Sequence, residues 1–333
     1  MTTALVTGGG GFLGKAIVKR LLERGITVRS FSRGAYPELE ALGVEGFRGD
    51  LADSDAVASA AGGCEVVFHV AAKAGIWGSY SEYFEANFRG TENVLAACAQ
   101  HGVDRLVYTS SPSVVHGGEA IEGGDESLPY PDHFEAPYPE TKAMAEQMVL
   151  AANGPELATV ALRPHLIWGP EDNHLVPMIV ARARAGKLKL VGDGSNLVDT
   201  VYIDNAADAH INAFDSLIAG ADCCGKAYFI TNGEPSPLKE VIDRMVGAAG
   251  LPPVDKHVSM GVAVAAGKTL EFAHRLFAPS KEPMMTAFLA RQMGTAHWFD
   301  ISAARRDLGF EPSVSLEEGF RRLAEWFEGQ EHS

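Results

Sequence analysis

The sequence predicts an α/β protein built on a doubly wound parallel sheet, with a smaller α/β domain towards the C-terminus. Three observations carry this reading. Short β-branched runs alternate with helix-period stretches through the first half of the chain. A glycine-rich turn, Gly8-Gly9-Gly10-Gly11-Phe12-Leu13-Gly14, separates the first such run from the first helical stretch. The 333 residues exceed what one small core needs and suit one large α/β domain or two fused ones.

The elements follow in order. Residues 4–7, 27–31, 65–70, 105–109 and 159–162 read as strands. After Gly14, apolar residues recur at Ile17 and Leu21 and at Val18 and Leu22, with Lys19, Arg20 and Glu23 between them, the pattern of a helix packed on a sheet. Strand–helix–strand alternation implies right-handed crossovers and a ligand beyond the carboxyl ends of the strands. Residues 166–199 read as loop-rich, with Pro170, Pro177, Gly192 and Gly194, whereas 202–217 read as a turn plus a helix and 227–231 as a further strand. The sheet domain is therefore expected to span 1–165, with 201–232 crossing back to it. Residues 166–200 and 233–333 are expected to form the smaller, substrate-binding domain.

A net charge of −15 repels phosphate backbones and anionic membranes, so no nucleic-acid partner is expected, and an anionic ligand must find a local positive site. The cysteines, Cys64, Cys98, Cys223 and Cys224, have neither disulfide-framework nor zinc spacing, so no metal is expected and a reducing, cytoplasmic setting is. The chain opens directly on a strand with no basic or long apolar leader, so no signal peptide is expected. The apolar stretch 258–270, broken by glycines and Lys268, is too short to span a bilayer.

The strand–glycine turn–helix context makes 7–14 a dinucleotide site of the Rossmann type. Gly8, Gly11 and Gly14 let the backbone approach a pyrophosphate, and the helix start at Phe12 and Leu13 offers N–H groups to it. An NAD site carries an acidic residue about 20 positions on. This chain has Ser32 and Arg33 there, a hydroxyl and a cation suited to a 2′-phosphate, so NADP(H) is favoured over NAD(H). Asp50 and Leu51, after the third strand, are placed against adenine, the alternative being that Asp50 or Asp53 caps the next helix.

Tyr138 and Lys142 lie four apart at the start of a predicted helix and so share a face. An ammonium beside a phenol lowers the phenol's pKa, which suits a proton donor to a carbonyl oxygen. Ser111 ends a predicted strand where the site should be and can hold that oxygen. Asn87, on a predicted helix, can fix a water linking Lys142 to solvent, or be a plain cap.

With these residues in place the chain resembles the extended short-chain dehydrogenase/reductases over nearly its whole length. The tetrad of that family falls on Asn87, Ser111, Tyr138 and Lys142, and 299–310 is similar to its C-terminal signature. The resemblance implies that Ala71, Pro164 and His165 also touch the cofactor and that the protein is a homodimer. Sugar-nucleotide members carry an arginine where this chain has Val198, which removes a phosphate's partner. Residues 201–210 and Ala136-Pro137-Tyr138-Pro139 resemble the 3β-hydroxysteroid dehydrogenase branch. Within it, 72–80, 166–177 and 297–299 resemble the bacterial enzymes that reduce 2-alkyl-3-oxoalkanoates in long-chain olefin biosynthesis. That implies reduction of a β-keto acid with NADPH, a wide apolar cleft lined by Ile76, Trp77, Trp168 and 258–270, Lys73 against the substrate carboxylate, and other enzymes of that pathway as partners. In membrane-bound steroid relatives the region matching 258–277 is an anchor; here it is expected to be a helix able to touch lipid or a partner. The alternatives are a 3β-hydroxysteroid or sterol dehydrogenase working in the oxidative direction, and a non-catalytic dinucleotide sensor, which would need a damaged tetrad.

Overall fold

The β-branched runs of the first half pair edge to edge in a computed structural model that describes residues 2–75, 77–278, 281 and 283–331. The first half runs β1 (Thr3–Thr7), α1 (Phe12–Glu23), β2 (Thr27–Ser32), α2 (Pro37–Glu40), β3 (Glu45–Arg48), α3 (Ser54–Ala61), β4 (Val66–His69), α4 (Tyr80–Tyr83), α5 (Gly90–His101), β5 (Arg105–Thr109), β6 (Ile121–Gly124), α6 (Pro137–Ala151) and β7 (Ala158–Pro164). The second half adds β8 (Ile167–Trp168), α7 (Leu175–Arg184), β9 (Leu190–Val191), β10 (Leu197–Val198), β11 (Val201–Tyr202), α8 (Ile203–Ser216), β12 (Lys226–Ile230), β13 (Ser236–Pro237), α9 (Leu238–Ala248) and β14 (His257–Val258). It ends with α10 (Met260–Phe277), α11 (Ala287–Gly294), β15 (His297–Phe299), α12 (Ser302–Leu308) and α13 (Leu316–Glu331).

Seven strands form one parallel sheet in the order β12-β7-β5-β4-β1-β2-β3. The order reverses between β1 and β4, and the crevice above that point is where such sheets bind ligands. α1 lays Ile17, Val18 and Leu21 on one face of the sheet beside α8, while α3, α5 and α6 cover the other through Val57, Val94 and Val149. The fold is thus the doubly wound α/β arrangement that the alternation predicts. A second sheet, β13-β10-β15-β6, brings together chain from four distant places beyond the carboxyl edge.

One expectation about the second half needs correction. Residues 166–199 are less loop-like than predicted, because α7 lies inside them. Pro177 sits in its first turn, where a missing N–H costs nothing, and Asp172 accepts from the N–H groups of His174, Leu175 and Val176. The stretch 258–270 is mostly helical. It enters α10, whose inner face packs on α11, where a Cβ on Gly267 would come 2.6 Å from the Ala287 nitrogen. The outer face leaves Val262, Phe272, Leu276 and Phe277 exposed. Among the described residues, no helix is long and apolar enough to cross a membrane.

Candidate active site

The glycine turn is built for close backbone approach. Gly8 has φ +72° and stands against Ala71, whose Cα lies 3.0 Å from where a Cβ on Gly8 would sit. A Cβ on Gly14 would fall 2.0 Å from the Gly8 carbonyl oxygen, so only glycine fits there. The N-cap of α1 is Gly11, which has no side-chain oxygen, leaving the first N–H groups of Phe12, Leu13 and Gly14 for an anion.

At the other end of this cradle, the Ser32 hydroxyl is buried and has no hydrogen-bond partner. Parallel register sets Arg48 of β3 beside Ser32, and Arg48 Nε donates to the Arg33 carbonyl at 2.9 Å. Arg48 is a second cation at this corner that the sequence reading missed, since only strand register reveals it. The buried hydroxyl, the paired cations and the uncapped helix together fit a dinucleotide. Leu51 is buried against Gly90, and Asp50 accepts from the Ala52 nitrogen at 3.0 Å while Asp53 caps α3.

Tyr138 lies in the first turn of α6, after Pro137 at the position that favours proline. Ser111 follows β5 by two residues and starts a 3-10 turn, Pro112–Val115. The Ser111 oxygen accepts from both the nitrogen (3.2 Å) and the hydroxyl (2.9 Å) of Ser113, which turns its own proton towards the Tyr138 phenol, with which it makes contact. Ser113 was also missed, although its Ser-x-Ser spacing is the kind that makes a local turn.

The electrostatics differ from the expectation. Burial raises the Tyr138 pKa above its ordinary value, and only the Ser111 contact opposes it. Lys142 Nζ donates to the Thr109 carbonyl at 2.6 Å and sits 4.1 Å over the Tyr108 ring. Burial pushes Lys142 down to about 7, with Glu146 opposing. Glu146, one turn further along α6, forms a buried bidentate pair with Arg163 of β7 at 2.6 and 2.9 Å, which fixes the helix to the sheet.

Asn87 lies in a π-helical turn, Phe84–Arg89, between α4 and α5. Its side chain accepts from the Lys73 nitrogen at 2.7 Å and donates to the Lys73 carbonyl and to Thr141 Oγ1. It therefore ties the segment after β4 to α6 and makes no direct bond to Lys142. Behind it runs a buried relay: the Thr7 hydroxyl bonds His69 Nδ1, His69 Nε2 bonds Thr91, and Thr91 donates to the Asn87 carbonyl. Burial holds His69 neutral, at about 3, with Lys142 adding to the shift.

The expected substrate contacts separate. Trp168 is a core residue, fully buried, bonded to Thr200 at 2.9 Å and stacked on Phe320 at 4.3 Å, so it lines no cleft. Lys73 pairs with Glu82 at 3.3 Å on a part-exposed surface. Trp77 stands between the segment after β4 and α10: its carbonyl takes the Tyr83 hydroxyl, its ring meets His274 edge-on at 6.1 Å, and Tyr83 lies 6.4 Å from Tyr138. Ile76 lies outside the described residues. Pro164 ends β7, and His165 follows it with its nitrogen bonded to the Ile230 carbonyl.

The sequence model of the 3-beta hydroxysteroid dehydrogenase/isomerase family matches residues 5–258. The chain belongs to that family. The chain is also similar to a 2-alkyl-3-oxoalkanoate reductase of Stenotrophomonas maltophilia, 56% identical over 96% of this chain and 97% of the relative. A second reductase of that name, from Shewanella oneidensis, is 52% identical over 96% of this chain and 85% of the relative. A 3 beta-hydroxysteroid dehydrogenase/Delta 5-->4-isomerase of Mycobacterium tuberculosis is 38% identical over 97% of this chain and 90% of the relative. Among solved structures, MoeE5 in complex with UDP-glucose and NAD superposes with a TM-score of 0.76 at 25% identity, covering 99% of this chain and 100% of the other. As a family member the protein is an oxidoreductase of the CH–OH/C=O pair that uses a nicotinamide dinucleotide.

Proposed function

We propose that the protein reduces 2-alkyl-3-oxoalkanoates to 2-alkyl-3-hydroxyalkanoates with NADPH. The observation that carries this is near-full-length identity above one half to two reductases of that name, against 38% to the steroid enzyme. The bound cofactor supplies a hydride to the ketone carbon. Gly8, Gly11, Gly14 and the start of α1 would hold its pyrophosphate, and Ser32, Arg33 and Arg48 its 2′-phosphate, with no acidic side chain at the end of β2 to repel it.

Tyr138 donates its proton to the ketone oxygen. A phenol kept protonated by burial suits this role, because it yields the proton only as charge develops on that oxygen. Ser111, oriented by Ser113, donates to the same oxygen and stabilises the charge. Lys142 titrates at about 7, so its charge is full only on the acid side of neutrality unless an anionic ligand raises it. The cytoplasmic location belongs to the same reading and is in keeping with four unpaired thiols.

The test is NADPH oxidation with freshly hydrolysed 2-butyl-3-oxooctanoate, beside NAD⁺ reduction with a 3β-hydroxysteroid. Turnover of the keto acid and a higher kcat/KM with NADPH than with NADH are expected. Turnover of the steroid alone would overturn the assignment.

A further inference from the structure

Three histidines from distant parts of the chain meet beyond the carboxyl edge of the sheet. His116 leaves the 3-10 turn that begins at Ser111, His165 follows the last residue of β7, and His297 lies in β15 beside Val198 of β10. The rings of His165 and His297 are edge-on at 4.9 Å, and those of His116 and His297 at 6.5 Å. His116 and His297 are each 6% exposed. One ring nitrogen of each of the three, His116 Nε2, His165 Nδ1 and His297 Nδ1, is buried without a hydrogen-bond partner. Leaving such a group unpaired is costly, and three in one cluster point to a ligand.

The remaining bonds fix what the cluster offers. His116 Nδ1 accepts from the Gly118 nitrogen, so the neutral ring carries its proton on Nε2 and presents an N–H. His297 Nε2 donates to the Gln292 carbonyl at 2.8 Å, so Nδ1 presents a lone pair. One donor beside lone pairs matches a carboxyl group that arrives with one proton: one oxygen accepts from His116, and the proton is shared with His297 or His165.

Neighbouring cations are already engaged: Lys73 with Glu82, Arg163 with Glu146, and Arg291 of α11 with Glu135. Glu135 faces His116 from the segment before α6, and Phe288 of α11 closes its other side. Asp199, next to β10, accepts from the Phe299 nitrogen through Oδ2, and burial pushes its carboxyl up to about 7. Burial, with repulsion from neighbouring imidazoles at His165 and His297, keeps the three rings neutral near pH 7, so positive charge must be made when an anion binds.

We propose that His116, His165 and His297 form the binding site for the substrate's carboxylate and take up one proton with it. This rests on the keto-acid reading above. It also answers how a chain of net charge −15 accepts an anion without a free arginine or lysine in the cluster.

The binding experiment uses the full chain with NADPH, against which the two probes do not react: 2-butyl-3-hydroxyoctanoate and undecan-6-ol, which is the same molecule without its carboxylate. Binding enthalpy at pH 8 in buffers of different ionisation heat reads proton uptake on the wild-type protein, with no variant needed. About one proton taken up with the acid, and none with the alcohol, is expected. His297→Asn and His116→Asn should each weaken the acid at least ten-fold, while NADP⁺ binding and undecan-6-ol oxidation stay within two-fold. Acid bound without proton uptake, or variants that lose acid and alcohol alike, would overturn the histidine site while leaving the keto-acid reading standing. Wild-type protein that oxidises no 3-hydroxy acid would overturn both.

Discussion

Replacing Ser113 with alanine removes one of the two donors that aim the Ser111 hydroxyl at Tyr138. The hydroxyl bond of 2.9 Å is lost and the backbone bond of 3.2 Å remains. A neutral hydrogen bond of this kind contributes about 0.5–1.5 kcal/mol, which corresponds to a fall in kcat of about 2- to 12-fold. Ser111→Ala removes the oxygen-stabilising donor itself and should cost about 10²–10³-fold. The assay is steady-state NADPH oxidation with 2-butyl-3-oxooctanoate for wild type, both single variants and the double variant. Because Ser113 acts only through Ser111, its effect should vanish in the Ser111→Ala background. Effects that multiply in the double variant would refute this chain of orientation, as would a Ser113→Ala change confined to KM for NADPH.

Arg48→Ala should lower kcat/KM for NADPH by about 10-fold and leave NADH unchanged, since it removes only a 2′-phosphate partner; equal losses with both cofactors would argue against that role. Lys142 titrates at about 7 in the fold against an ordinary 10.5, so the unfolded chain binds more protons across that window and stability rises with pH through it. Lys142→Met should therefore stabilise the cofactor-free protein most below pH 7, with the advantage shrinking towards pH 10 in denaturant titrations; a pH-independent difference would contradict the shift. Trp168→Phe should cost about 1–3 kcal/mol by leaving Thr200 unpaired in the core, yet keep kcat/KM within two-fold, as a buried packing residue should.

The sheet was legible because each strand announces itself locally. Residues 105–109 and the helix opening at Tyr138 needed only β-branched runs and a proline at the right turn. The helix Leu175–Arg184 was hidden by Pro177, which breaks a helix interior but not its first turn. Chemistry within a few residues, such as the glycine turn and the Tyr138–Lys142 spacing, could be read directly. What depended on long-range register could not. Arg48 reaches the Ser32 corner only through β2–β3 pairing, and the three histidines meet only because β15 pairs with β6 and β10. Trp168 misled for the opposite reason: an indole suits a substrate cleft and a core equally well, and only its bond to Thr200 and its stacking on Phe320 separate the two.

The most direct test compares wild type with Tyr138→Phe, using NADP⁺ and 2-butyl-3-hydroxyoctanoate in one arm and a 3β-hydroxysteroid in the other, with cofactor binding measured separately. The account predicts wild-type oxidation of the hydroxy acid in clear preference to the steroid. It also predicts loss of that activity by about 10²-fold or more in Tyr138→Phe, with NADP⁺ affinity unchanged. Preference for the steroid, or a Tyr138→Phe enzyme that turns over like wild type, would contradict it.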